Sequence, residues 1–139
     1  MNKTILKYEL DLDFVLLAIT TPLKDYKLCY KINKQLSFDL CKISELELVY
    51  NGDEAPITFS RYSYQDTQTE TLFYLLANKG SEGFLIPEMK RADYFLLIQN
   101  YIDREDLQYI ISGINKIAEV LVAIEIEPKK LKSKENLIF

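Results

Sequence analysis

Hydrophobic residues recur along this chain at two spacings, every second position and every third or fourth, and the switches between them lay out the elements. Between residues 8 and 20, Tyr8, Leu10, Leu12 and Phe14 alternate with Glu9, Asp11 and Asp13, and Val15-Leu16-Leu17-Ala18-Ile19 is then apolar throughout. Alternation predicts a strand with one wet face; a continuous apolar run predicts one covered on both. Thr21-Pro22 predicts a helix start, with Thr as cap, Pro at the first position and Asp25 adding negative charge to the first turn. Leu28, Ile32 and Leu36, with Cys29 beside them, form the inward stripe of that helix, and Lys24, Lys27, Lys31 and Lys34 fall on its other sides.

Residues 44–50 read as a short strand and Asn51-Gly52-Asp53 as a turn. Residues 56–64 and 71–77 read as two strands joined by a polar loop over 65–70. Ile57 and Phe59 keep one phase, Tyr62 and Tyr64 the opposite one, which predicts a bulge near Ser60-Arg61. The loop from Lys79 to Gly83 leads into Phe84-Leu85-Ile86-Pro87-Glu88, and residues 94–100 form the next strand. Asp103, with Asp106 three residues on, caps a second helix whose stripe is Leu107, Ile110, Ile111, Ile114, Ile117 and Ala118. In the final strand Val122, Ile124 and Ile126 are expected to face inward, Glu125 and Glu127 outward. The order β-α-β-β-β-β-α-β predicts an α+β fold: a single sheet of ferredoxin-like tendency with two helices packed on one face. Residues 1–128 read as one domain and residues 129–139 as a basic, then apolar, C-terminal tail.

Composition narrows the chemistry. The 139 residues are 48% hydrophobic and 27% charged, ordinary globular usage, so one core is expected. No apolar run approaches the roughly 20 residues that span a bilayer, and the N-terminus lacks the order of a signal peptide. Cys29 and Cys41 are not a C-x-x-C pair, and two free thiols suit a reducing compartment. A cytoplasmic protein with no membrane partner is the expectation. There is no histidine, which excludes Ser-His-Asp and Cys-His catalysis and histidine-ligated metal centres. With no other catalytic motif, a non-enzyme without cofactor is expected.

The segment Ile86-Pro87-Glu88-Met89-Lys90-Arg91-Ala92-Asp93-Tyr94 resembles the signature of the IPExxxVDY family of small proteins, mostly from Bacteroidetes, with Ala92 where the motif has Val. Phe95-Leu96, the opening Leu10-Asp11-Leu12-Asp13-Phe14, Asp25-Tyr26 and the ending Leu131 to Phe139 are also similar to that family, so the resemblance spans nearly the whole chain. It implies a bacterial cytoplasmic protein and no particular activity.

Four groups of residues are candidates for function. Pro87, Glu88, Asp93 and Tyr94 form either a structural corner, whose carboxylates satisfy local backbone donors, or a recognition loop for a partner's basic group. Glu9, Asp11, Asp13, Glu125 and Glu127 sit on strand faces, and their spacing matches no metal loop, so no metal is assigned. Phe59, Tyr62, Tyr64, Phe73 and Tyr74 serve as core or cross-strand packing, as a protein-binding patch, or as stacking platforms for RNA with Arg61. In the tail, Lys129, Lys130, Lys132 and Lys134 are candidate phosphate contacts, and Leu137, Ile138 and Phe139 pack on their own domain or into a partner. Cys29 reads as a buried, inert thiol. These readings favour a non-catalytic protein-binding module or homodimer. An RNA-associated protein, which the acidic net charge of −4 disfavours, and a small-ligand or metal-binding domain are the alternatives.

Overall fold

In the computed structural model, residues 13–49 and 55–139 are described. Eight strands and two helices follow in the order β1 (Val15–Thr20), α1 (Asp25–Leu36), β2 (Cys41–Lys42), β3 (Leu46–Leu48), β4 (Ile57–Phe59), β5 (Arg61–Gln65), β6 (Leu72–Ala77), β7 (Tyr94–Gln99), α2 (Arg104–Asn115) and β8 (Val122–Ile126). Six strands make one antiparallel sheet in the order β2-β5-β6-β7-β1-β8. Taking β1, α1, β6, β7, α2 and β8 alone gives a β-α-β-β-α-β chain with the spatial order β8-β1-β7-β6. That is the ferredoxin-like arrangement, and β2 to β5 are its insertion, with β2 and β5 widening the sheet.

The sheet is covered on both faces, which is why β1 and β7 are apolar at nearly every position. On one face Leu17, Ile19, Phe73, Leu75, Leu96 and Ile98 pack beneath Leu28 and Ile32 of α1 and Ile110 and Ile114 of α2. On the other, Leu16, Ala18, Leu76, Phe95 and Leu97 are covered without any helix. Phe59 and Leu46 of the β3–β4 pair, Leu85 and Ile86 of the following loop, and Leu131 and Leu137 of the tail form that cover.

The phase change at Ser60 is larger than a bulge. Residues 56–64 are two strands in two sheets: β4 pairs with β3 in a separate two-stranded sheet, and β5 enters the main one. The sheet is therefore not single. The first helix starts at Asp25, not at Thr21-Pro22, and Lys24 supplies no side-chain cap. Residues 21–23 are held by neighbours instead: the Thr21 hydroxyl donates to the Glu119 carbonyl at 2.9 Å and accepts from the Leu23 N–H, while the Leu23 carbonyl accepts from the Tyr94 hydroxyl. Asp103 does cap α2, accepting the Asp106 N–H at 2.8 Å. That helix ends at Asn115, and Ala118 is exposed beyond it. Tyr8, Glu9, Leu10, Asp11 and Leu12, and the Asn51-Gly52-Asp53 turn, lie outside the described residues.

The last strand reverses its expected facing. Ala123 is the buried residue, on the helix side, whereas Val122 and Ile124 stand 40% and 49% exposed on the opposite side. Ile124 pairs with Ala18 and Val122 with Thr20 of β1, and Ile126, opposite Leu16 on the same side, is the one of the three that packs against the core there. Among the described residues, the tail and loop that cover Leu16 and Ala18 do not extend over Val122 and Ile124.

Candidate functional site

The corner at residues 86–94 is built around a buried asparagine. Asn78, at the end of β6, donates from Nδ2 to the carbonyls of Met89 (2.9 Å) and Ala92 (2.8 Å) and accepts the Ile86 N–H at 2.8 Å. Its own N–H donates to the Asp93 carbonyl, and its carbonyl accepts from the Leu85 N–H. One side chain thus fixes both ends of the turn Pro87–Met89.

Glu88, Asp93 and Tyr94 of the motif each find a partner in the same chain. Glu88 accepts the Ser133 N–H at 2.8 Å and the Ser133 hydroxyl at 2.9 Å, tying the corner to the tail. Burial pulls its carboxyl upward, but the bonds from Ser133 and the Lys132 backbone outweigh that and leave it below the usual carboxylate range. Asp93 accepts the Thr21 N–H at 2.9 Å, and Tyr94 is buried with its hydroxyl 2.7 Å from the Leu23 carbonyl. Burial, with Asp25 and Asp93 nearby, pushes that phenol up to about 12. Pro87 is exposed at the turn's start.

The hairpin aromatics are also engaged. Tyr62 is buried, and its hydroxyl donates to Asp25 at 3.0 Å. Tyr64 lies 5.0 Å from the ring of Phe38 and 5.8 Å from that of Phe73. On the other face Phe139 meets Tyr74 edge-on at 5.0 Å, with the Arg61 guanidinium over the Phe139 ring. Arg61 also donates to the Ser44 carbonyl and hydroxyl. Leu137 is fully buried, and Asn136 donates to the Leu85 carbonyl, so the tail is docked on its own domain with Ile138 half-buried. Lys129, Lys130 and Lys132 are exposed, Lys130 is 3.7 Å from Glu127, and Lys134 reaches the Leu131 carbonyl.

Among the described residues no three of Cys, Asp and Glu converge on one point; Asp13 is exposed, Glu125 pairs with Arg104 at 3.1 Å, and Glu127 with Lys130. Both cysteines are free thiols, and burial raises Cys29 to about 11. None of the described helices is long and apolar enough to cross a membrane.

Among the described residues two groups of exposed side chains bear on partners, and the sequence reading missed both. The first is apolar: Leu121 is 72% exposed beside Val122 and Ile124 at the β8 edge. The backbone of that edge is occupied at Ala123, where Asn115 accepts the N–H and donates to the carbonyl, both at 2.9 Å. The second is the outward side of α1, where Tyr26 and Tyr30 are 58% and 61% exposed among Lys27, Lys31 and Lys34. A cleft of about 450 Å³ lies between Tyr26, Lys27, Tyr30 and Lys31, and a second of about 260 Å³ lies between Lys31, Lys34 and Lys116. The tyrosines were legible in principle, since their four-residue spacing sits opposite Leu28, Ile32 and Leu36. The bare β8 face was not, because it depends on where the tail stops. No family model and no curated protein sequence matches the chain.

Proposed function

We propose that this chain is a non-catalytic binding module that self-associates, a second copy covering the apolar patch of Leu121, Val122 and Ile124. The observation that carries this reading is the half-covered sheet face: its centre is sealed by the tail, and at β8 the described residues leave Val122 and Ile124 in water, next in sequence to the exposed Leu121. Exposed apolar groups that border a packed face are the usual mark of an interaction surface.

The chemistry around the patch favours a like partner. A two-fold contact places the same surface on both copies, so Val122 and Ile124 of one meet Val122 and Ile124 of the other. Glu125 points to the helix side, where Arg104 holds it, so the contact brings no carboxylates together. Asn115 occupies the edge at Ala123, which directs association to the face and away from strand addition. The carboxylates of the corner are used in internal hydrogen bonds, consistent with a module without catalysis. The free thiols support a reducing, cytoplasmic setting.

Sedimentation velocity across a concentration series tests the reading. The expected outcome is a dimer that dissociates on dilution, and an Ile124→Lys variant that stays monomeric at every concentration with an unchanged circular dichroism spectrum. A native chain that is monomeric throughout the series overturns it.

A further inference from the structure

We infer that the outward side of α1 is a recognition surface for single-stranded nucleic acid, with Tyr26 and Tyr30 as stacking platforms and Lys27, Lys31, Lys34 and Lys116 as phosphate contacts. The surface departs from the rest of the molecule in charge. The chain carries −4 overall, yet Lys24, Lys27, Lys31 and Lys34 lie on or beside α1 and Lys116 shares a cleft with Lys31 and Lys34; among the described residues lining that cleft the one acid is Glu119, which Lys31 already engages at 3.2 Å. The acid of α1 itself, Asp25, is turned away to Tyr62 and Lys42. A surface on which lysines outnumber carboxylates calls for a polyanion.

The two tyrosines decide which polyanion. They are one helical turn apart on the same side, open to solvent, and flank a cleft whose other walls are lysines. The Lys34 ammonium lies 5.8 Å from the centre of the Tyr30 ring, so cation and ring face the same space. Flat rings interleaved with cations match a ligand that alternates flat bases with phosphates. An acidic peptide leaves the rings unused. An anionic membrane needs an apolar helix side to insert, and the apolar side of α1 is sealed against the sheet by Leu28, Ile32 and Leu36. The recognition site lies across the sheet from the β8 patch, so it stands whether or not that patch pairs.

Fluorescence anisotropy with a labelled oligouridine, at low and moderate salt, tests this on the full chain and on the Ile124→Lys variant. The expected result is binding by both, with log affinity falling against log salt by about 0.7 per phosphate contacted. Tyr26→Ala with Tyr30→Ala should weaken it about ten-fold or more, and Lys27→Glu with Lys34→Glu should abolish it, whereas Lys129→Ala with Lys130→Ala should leave it within about two-fold. All these side chains are exposed, so the fold, checked by melting temperature, is retained. The proposal is overturned by no binding at low salt. It is equally overturned by tyrosine variants that bind as tightly as native, by loss on the tail substitutions instead, or by equal binding of polyglutamate or anionic phospholipid vesicles.

Discussion

Three asparagines act in this chain as pieces of backbone. Asn33 clasps Leu40, Asn78 clasps Ile86, and Asn115 clasps Ala123, in each case accepting the N–H of a residue seven or eight positions on. Asn33 and Asn115 return a bond to that residue's carbonyl; Asn78 donates instead to Met89 and Ala92. An amide side chain carries the same donor and acceptor as a peptide group, which is why it can end a strand or a loop in this way. Asn78 is fully buried, so its loss leaves the Ile86 N–H and the Ala92 carbonyl without their partner, while the Met89 carbonyl keeps the Ala92 N–H. Asn78→Ala should lower the stability by about 2 kcal/mol or more, on ~1–3 kcal/mol for each of the two buried unsatisfied groups. Urea unfolding measures this, and a midpoint like that of the native protein would refute the hub role. The motif residues around Asn78 were legible as a turn with capping carboxylates. Their partners were not, because Thr21, Ser133 and Leu23 lie 45 to 72 positions away and no local pattern links them.

At the scale of elements, periodicity was a sound guide wherever one side chain face meets one core. The stripes of α1 and α2 pack as their spacing implies, and the reversed phase at Ser60 marks the point where the chain leaves one sheet for another. Strand β8 is where alternation misleads, since Val122, Ile124 and Ile126 alternate with Ala123 and Glu125 and the small residue is the buried one. Ala123 packs in the core with Leu107, Ile110 and Ile114 of α2, and Asn115 at the end of that helix holds the strand edge at Ala123. Asn115→Ala removes that hold and frees the Ala123 N–H and carbonyl to template another strand. Thioflavin fluorescence and light scattering should rise on incubation of Asn115→Ala, and also of Asn115→Ala combined with Ile124→Lys. A double variant that stays clear would show that the asparagine does not guard the edge.

For the whole molecule, the tail is the second half of the core. Leu131 and Leu137 cover the sheet face that the helices leave open, and Glu88 fastens them there through Ser133. Leu137→Ala should therefore cost about 2–5 kcal/mol, the range for truncating a buried leucine, although it lies close to the end of the chain. The latch is ionic in character and so depends on pH. The carboxyl of Glu88 sits below its ordinary value when folded, so its contribution is complete above the unfolded value of about 4.3 and is lost as pH falls through the lower folded one. Limited proteolysis of the tail should stay slow at neutral pH and accelerate below about pH 4, ahead of global unfolding followed by circular dichroism. Glu88→Gln keeps a carbonyl acceptor for Ser133 but has no proton to take up, so its tail should be cut somewhat faster at neutral pH, with no further acceleration in that acid window. An identical acid profile in the native chain and the Glu88→Gln variant would move the pH dependence to another carboxylate and leave Glu88 no part in it.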